Sequence, residues 1–249
     1  MRKKFLMIWR RRPRLSRRGR VGVNLLVSVL AACLLWGAAG CPLPTAELEF
    51  RRMERTHLLL RSEIVFSNGE KSRDGLQMSR QDGSVFALDG TELYLQGRWM
   101  VGVQGDRAAV ACLSESGRYI RSLPLGSDPA LVPLMGRYGY LDCIGYWVTH
   151  GPGETPEGDP AYVYSYHDFI PFLLLNAPEG TASVEMTVLL EGEERSGGGW
   201  QLEDGAWMLG LEEDGSAGAG RLPGAAYTLR LYRADGSLLL EKGGTLPEE

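Results

Sequence analysis

From Val21 to Gly40 the chain runs twenty residues without a charge, and only Asn24 and Ser28 among them carry strongly polar side chains. At about 1.5 Å per residue a helix of this length spans about 30 Å, the thickness of a hydrocarbon core. Small residues, Gly37 to Gly40, then lead into Cys41, and Pro42 and Pro44 break whatever helix precedes them.

Beyond the prolines, Ala46, Phe50, Met53, His57 and Leu60 recur at intervals of four, three, four and three. That spacing predicts one stripe of an amphipathic helix over 46–60. Thr45 is its expected N-cap, with Glu47 and Glu49 in the first turn where the helix dipole favours anions. Glu47–Arg51 and Glu49–Arg52 are spaced to pair along the exposed side. Two heptads are too few to predict a coiled coil.

After Arg61 the period shortens to two. "EIVF", "SVFAL", "ELYLQ", "WMVGVQ" and "AAVACL" read as short strands, and Asn68-Gly69, Asp82-Gly83, Asp89-Gly90 and Asp235-Gly236 as hairpin turns. Residues 62–123 therefore read as linked antiparallel strands, followed by an irregular stretch and an acidic loop at 151–160. Further on, Val184, Met186, Val188 and Leu190 alternate with Glu185, Thr187 and Glu191, and Tyr227, Leu229 and Leu231 alternate with Thr228, Arg230 and Tyr232. One wet face and one dry face predict an antiparallel sheet. The glycine-rich "GGGW" (197–200) and "GSAGAG" (215–220) read as flexible connections. The expected fold class is mainly β. A basic segment (1–20) and an apolar membrane or signal segment (21–41) precede a linker and amphipathic helix (42–61). An antiparallel β-rich region (62–169) and a small sandwich (170–249), immunoglobulin-like or fibronectin-like in style, follow.

Charge sharpens the picture of the first forty residues. Ten of the 27 Lys and Arg precede Val21 with no acid among them, so the chain after Cys41 holds 17 bases against all 31 acids, a net charge near −14. A polyanionic body speaks against nucleic acid as a partner, because phosphate binding rests on neutralisation by Lys and Arg. Basic flanks stay cytoplasmic, so the N-terminus is expected inside and the body outside.

The same segment parses as a signal peptide, with a basic n-region, an apolar h-region and small residues at its end. Ala38-Ala39-Gly40-Cys41 resembles the lipobox of bacterial lipoproteins, whose cysteine is lipidated and becomes the mature N-terminus. The position three before the cysteine is usually Leu or another larger aliphatic; here it is Ala38, and Pro42 follows. The resemblance covers residues 1–41 and implies Cys41 as the attachment site. Ser16-Arg17-Arg18-Gly19-Arg20-Val21 also resembles a twin-arginine export signal, except that Arg20 stands where a hydrophobic residue is usual. Three outcomes stay open: lipidation at Cys41, retention as a single-pass anchor, and cleavage with release. In an oxidising compartment Cys112 and Cys143 are the candidate disulfide, with two buried thiols as the alternative.

Candidate chemistry is sparse. The only histidines are His57, His150 and His167. His150, His167, Asp159 and Asp168 flank the acidic loop, where Glu154 and Glu157 complete a conceivable divalent-cation set, but their spacing fits no established metal motif. No nucleophile elbow or phosphate loop occurs, and no motif calls for a cofactor or names catalytic residues. The most unusual composition lies between 138 and 172, with nine of the 22 aromatic residues. In "YVYSY", Tyr162, Tyr164 and Tyr166 share one face of a strand; together with Trp147 they are the candidate binding surface for a protein or glycan ligand. A sheet core or domain junction explains the same run and is its commoner fate. The function expected is therefore a membrane-tethered extracytoplasmic protein with a binding or structural role. The alternative is an extracytoplasmic enzyme, metal-assisted, at the cell envelope.

Overall fold

The computed structural model describes residues 16–38, 43, 45–68, 82–114, 117–140, 144–154, 160–202, 205–212 and 219–248. Cys41, Cys143, Gly69, Glu157 and Asp159 fall outside them. The chain divides into two compact units, Met1–Glu49 and Phe50–Glu249.

In the first unit, α1 (Arg17–Ala38) begins four residues ahead of the apolar run. Ser16 caps it, its hydroxyl accepting from Gly19 N at 3.2 Å and its carbonyl from Arg20 N at 3.0 Å. Arg17–Trp36 is long and apolar enough to cross a membrane, and a signal segment has the same form. The linker that follows contains Leu43, whose N–H donates to the Glu49 carboxylate at 3.0 Å.

Helix α2 (Ala46–Thr56) starts where the sequence predicts: Leu48 N donates to the Thr45 hydroxyl at 3.2 Å. It ends four residues early. Leu59 N bonds to Glu54 O and Leu58 N to Arg55 O, the paired bonds of a Schellman stop, with Leu58 at φ 55°. Phe50 and Met53 are buried as the stripe requires, but Leu58 and Leu60 are exposed beyond the stop. Glu49 is buried, so it does not lie on the exposed side expected for it.

Within the second unit, the last turn of α2 is clasped to the chain that follows. Glu54, 2% exposed, accepts from Ser62 N at 2.9 Å, from the Ser62 hydroxyl at 2.6 Å and from Arg51 Nη1 at 2.8 Å. Arg51 Nη1 also donates to Ser62 O at 2.7 Å. Burial alone pushes the Glu54 carboxyl up; the bonds from Ser62 and Arg51 outweigh it and hold the group below its ordinary range.

The rest is antiparallel sheet. A four-stranded sheet has the order β1 (Glu63–Ser67), β4 (Trp99–Gln104), β5 (Arg107–Ser114), β6 (Gly117–Pro124). Strands β2 (Asp82–Phe86), β3 (Glu92–Gln96), β7 (Ala130–Pro133), β8 (Gly145–Glu154), β9 (Pro160–Leu175), β10 (Ser183–Leu190), β11 (Glu193–Gln201), β12 (Trp207–Glu212), β13 (Ala226–Tyr232) and β14 (Leu238–Thr245) form a second sheet. Its order is β14-β13-β10-β11-β12-β9-β8-β3-β2, with β7 beside the end of β9. One apolar core joins the two sheets: Trp99, Val101 and Val110 from the first are buried in the same cluster as Phe172, Met186, Leu209 and Leu231 from the second.

Five predicted runs appear as β1 to β5, and the alternation of β10 holds, with Val184, Met186 and Val188 buried. The strands after residue 170 continue one sheet path with β9, which crosses positions 169 and 170 unbroken. Turns divide by geometry. Asp89-Gly90 and Asp235-Gly236 build the same loop: each glycine has positive φ and donates back three residues, and each aspartate accepts from the N–H two residues on. Asp82-Gly83, expected as a turn, instead lies inside β2, paired with Gln96 and Leu95. Asn68 is buried and bonds across to Gly97 O and Trp99 N, so its amide continues the β1–β4 pairing.

The "GGGW" segment is strand, not linker. Residues 193–198 of β11 pair with β10, and 199–201 pair with β12, so this strand joins the two neighbours along different parts of its length. A Cβ at Gly197 would lie 2.0 Å from Gly210 O and one at Gly199 2.4 Å from Leu209 Cδ2, which explains the glycines by close approach. Of the second glycine-rich stretch, Ala219–Arg221 is a 3₁₀ turn and 215–218 fall outside the described residues.

Two outcomes follow. Leu58→Gly should raise stability by about 0.5–1 kcal/mol, because the αL position strains a branched residue whose side chain is 91% exposed and buries nothing; chemical denaturation checks this. The depressed Glu54 carboxyl contributes stability that is present above its unfolded pKa and lost as pH falls through the folded one. Glu54→Gln should therefore cost about 2 kcal/mol at neutral pH and flatten the decline in melting temperature between neutral and acid pH.

Candidate functional site

The aromatic-rich stretch builds one long hairpin. Its register runs from Gly145↔Phe169 to Glu154↔Pro160. The expected acidic loop is therefore shorter than it reads: Gly151 to Glu154 continue β8, and only 155–159 lie outside the described residues. On one side β3 pairs with β8 only at Gly145, Tyr146 and Trp147. On the other, β12 pairs with β9 only from Phe169 onward. Past those points, among the described residues, β8 and β9 continue as a two-stranded arm from Val148↔Tyr166 to Glu154↔Pro160, roughly 20 Å at strand rise.

What seats the root of this arm is a ring against two bare backbones. Phe169 is fully buried. A Cβ at Gly145 would sit 2.5 Å from its Cζ, and one at Gly210 2.8 Å from its Cδ2. Trp147 and Trp200 tilt against the same ring, at centroid distances of 5.6 and 5.3 Å, and against each other at 5.1 Å. Trp147 also stacks on the His167 ring at 4.9 Å, and the Thr149 hydroxyl lies 3.1 Å from His167 Nε2. Both His167 and Thr149 are exposed.

The opposite face carries tyrosines. Tyr94 on β3 stacks on Tyr146 on β8 at 5.2 Å, and Tyr146 tilts against Tyr166 on β9 at 6.1 Å. The row climbs out of the core: Tyr94 is buried, Tyr146 half-buried and Tyr166 58% exposed. Tyr164, one step further along the arm, is 47% exposed. Exposure rules out a sheet-core role for these two, and Ser165 and Asp168 beside them are exposed as well. The core reading holds elsewhere in the stretch: Tyr140, Phe169 and Phe172 are fully buried, and the Tyr140 hydroxyl donates to Pro247 O.

The sequence candidates therefore separate. Tyr164 and Tyr166 share an exposed face, and position 162 pairs with Pro152 in the same ribbon. Trp147 does not join them. It pairs with His167, and strand alternation puts that pair on the face opposite Tyr146 and Tyr166. Sequence reasoning missed Tyr94, whose place beside Tyr146 depends on a β3–β8 pairing no local pattern announces. It also missed the glycine seat of Phe169.

Of the conceivable cation set, Glu157 and Asp159 lie outside the described residues. His150 pairs with Tyr164 and His167 with Trp147, three pairs apart, an odd offset that assigns the two positions to opposite faces. Asp168 pairs with Tyr146, four pairs from His150, about 13 Å along the ribbon. No group of three metal-ligating side chains occurs among the described residues. Cys112 is buried on β5, opposite Trp99 and Tyr119. What the arm offers is contact chemistry: aromatic faces, phenol hydroxyls and strand edges.

No protein-family model, curated protein or solved structure matches this chain.

The two ends of the β9 aromatic series should respond differently to truncation. Tyr166→Ala should change stability by less than about 1 kcal/mol, whereas Phe169→Ala should cost about 3–5 kcal/mol. Equilibrium denaturation of the two variants beside wild type tests the assignment.

Proposed function

We propose that this is a membrane-tethered extracytoplasmic protein whose β8–β9 arm is its binding surface. The observation that carries the binding role is that, among the described residues, the arm outruns both neighbouring strands while keeping Tyr164 and Tyr166 exposed. A two-stranded ribbon is at best marginally stable alone in water, so its extension past the sheet adds little to folding. Exposed tyrosines supply rigid contact area with a polar tip.

The tether rests on α1 and its flank. Ten bases ahead of the apolar run that begins at Val21 orient the N-terminus toward the cytoplasm and the acidic body outward. Small residues leading to Cys41 support processing of the lipoprotein type, in which several acyl chains hold the mature protein at the membrane. The alternating, half-buried β10 and β13 support a sandwich-like packing of the C-terminal strands, a likeness of architecture that carries no function of its own.

Membrane fractionation with intact mass of the mature chain tests the tether, for wild type and Cys41→Ser. The expected result is a membrane-bound wild type that begins at an acylated Cys41, and a variant left unprocessed. A wild type that keeps its first residues and sits in the membrane overturns the lipoprotein form alone; a mature chain released in soluble form overturns the tether.

A further inference from the structure

The two edges of the arm differ. Along β8 the edge beyond Trp147 includes Gly151, Pro152 and Gly153, residues that weaken strand pairing and, in proline, remove a donor. The β9 edge reads Ala161-Tyr-Val-Tyr-Ser-Tyr-His-Asp168, with no Gly, Pro, Lys or Arg and with strong β formers at Tyr162, Val163, Tyr164 and Tyr166. On that side the pairing with β12 stops at Glu212↔Phe169, and no further strand lies beside residues 161–168 among the described residues. Natural sheets blunt such edges with lysine, proline or a bulge. None of these is used here, and the pairing of β8 with β9 is regular along the whole arm.

Charge selects the occupant. From Tyr138 to Glu194 the sequence holds ten acids and not one Lys or Arg, and the arm lies inside that span. A second copy of the chain would bring the same acids against them, which costs association free energy. A cationic segment is favoured on both counts: it meets the acids by charge, and its Lys and Arg side chains can lie over the exposed tyrosine rings.

We infer that the outer edge of β9, residues 161–168, takes up an extended Lys/Arg-rich segment of a partner protein as an added antiparallel or parallel strand. Main-chain hydrogen bonds supply the affinity of such strand addition, and the side chains at alternate positions supply its selectivity. This rests on the arm as the binding surface and names the partner chemistry and the mode.

The test uses the full chain in detergent micelles and three twelve-residue peptides. The first alternates Lys or Arg with Val or Thr, the second is the same peptide N-methylated at alternate residues, and the third has Glu in place of every base. Fluorescence anisotropy should show the basic peptide binding, weakening steeply with added salt. The N-methylated peptide should bind at least about tenfold more weakly, the loss expected from one or two main-chain hydrogen bonds, and the acidic one not at all. Amide hydrogen exchange should slow on β9 between Ala161 and Asp168 and stay unchanged on β8 between Thr149 and Glu154. Equal binding of the N-methylated and parent peptides overturns strand addition. If Tyr166→Ala then abolishes that binding, the arm still stands as a binding surface, reached through side chains. Protection on β8, equal binding of the acidic peptide, or a dimer in sedimentation that protects the β9 edge without any peptide each overturns the assignment as well.

Discussion

The ring of Phe169 lies against Gly145 and Gly210 on the strands to either side, where any side chain would collide with it. Much of the sheet is organised by that one insertion. It fixes where β8 and β12 flank β9, and it gives Trp147 and Trp200 a surface to tilt against. From this point β9 has two different lives. Toward Leu175 it is paired on both edges and buried on both faces; toward Pro160 it pairs with β8 alone among the described residues and leaves the core. The arm is the unburied continuation of a strand that is buried from Phe169 to Leu175, so a rigid root holds a surface that folding itself does not need.

The aromatic residues of this region are graded by the same geometry. Fully buried rings contribute by area removed from water, on the order of 2–3 kcal/mol each, and they anchor the sheet. Exposed Tyr164 and Tyr166 remove little area and stay on the surface. Tyr146, half-buried between Tyr94 and Tyr166, links the two regimes across three strands. Earlier in the chain the Glu54–Ser62–Arg51 clasp does comparable work with polar groups, ending the helix and starting the first strand through one carboxylate. Both devices join elements far more tightly than their sequence neighbourhoods indicate.

Much of the fold was legible because its signals are local. Thr45 caps α2 through its own hydroxyl, β3 and β4 follow from the composition of a few residues, and the Asp-Gly loops at 89–90 and 235–236 close by bonds within five residues. The misreadings share a different cause. Asp82-Gly83 and Gly197 to Gly199 have turn or linker composition, yet they lie in strands because a partner strand approaches closely or the ladder continues through them. Leu58 ends α2 in a conformation that favours glycine, so the stripe to Leu60 overran the helix. Trp147 was grouped with the tyrosines by proximity in sequence, whereas faces are assigned by register across the hairpin.

Local order of residues settled the apolar segment with its basic flank, the β class, and the acidic body, since helix length, period-two alternation and charge are properties of consecutive residues. Whether a tyrosine meets solvent or core is not such a property. It depends on how far neighbouring strands run alongside, and long-range pairing with β9 and β8 sets where β12 and β3 lie. The same dependence separated His150 from His167 and put Tyr94 beside Tyr146. A strand carries its alternation in its own residues, but burial on either face is supplied by other parts of the chain, and only folding brings those parts together.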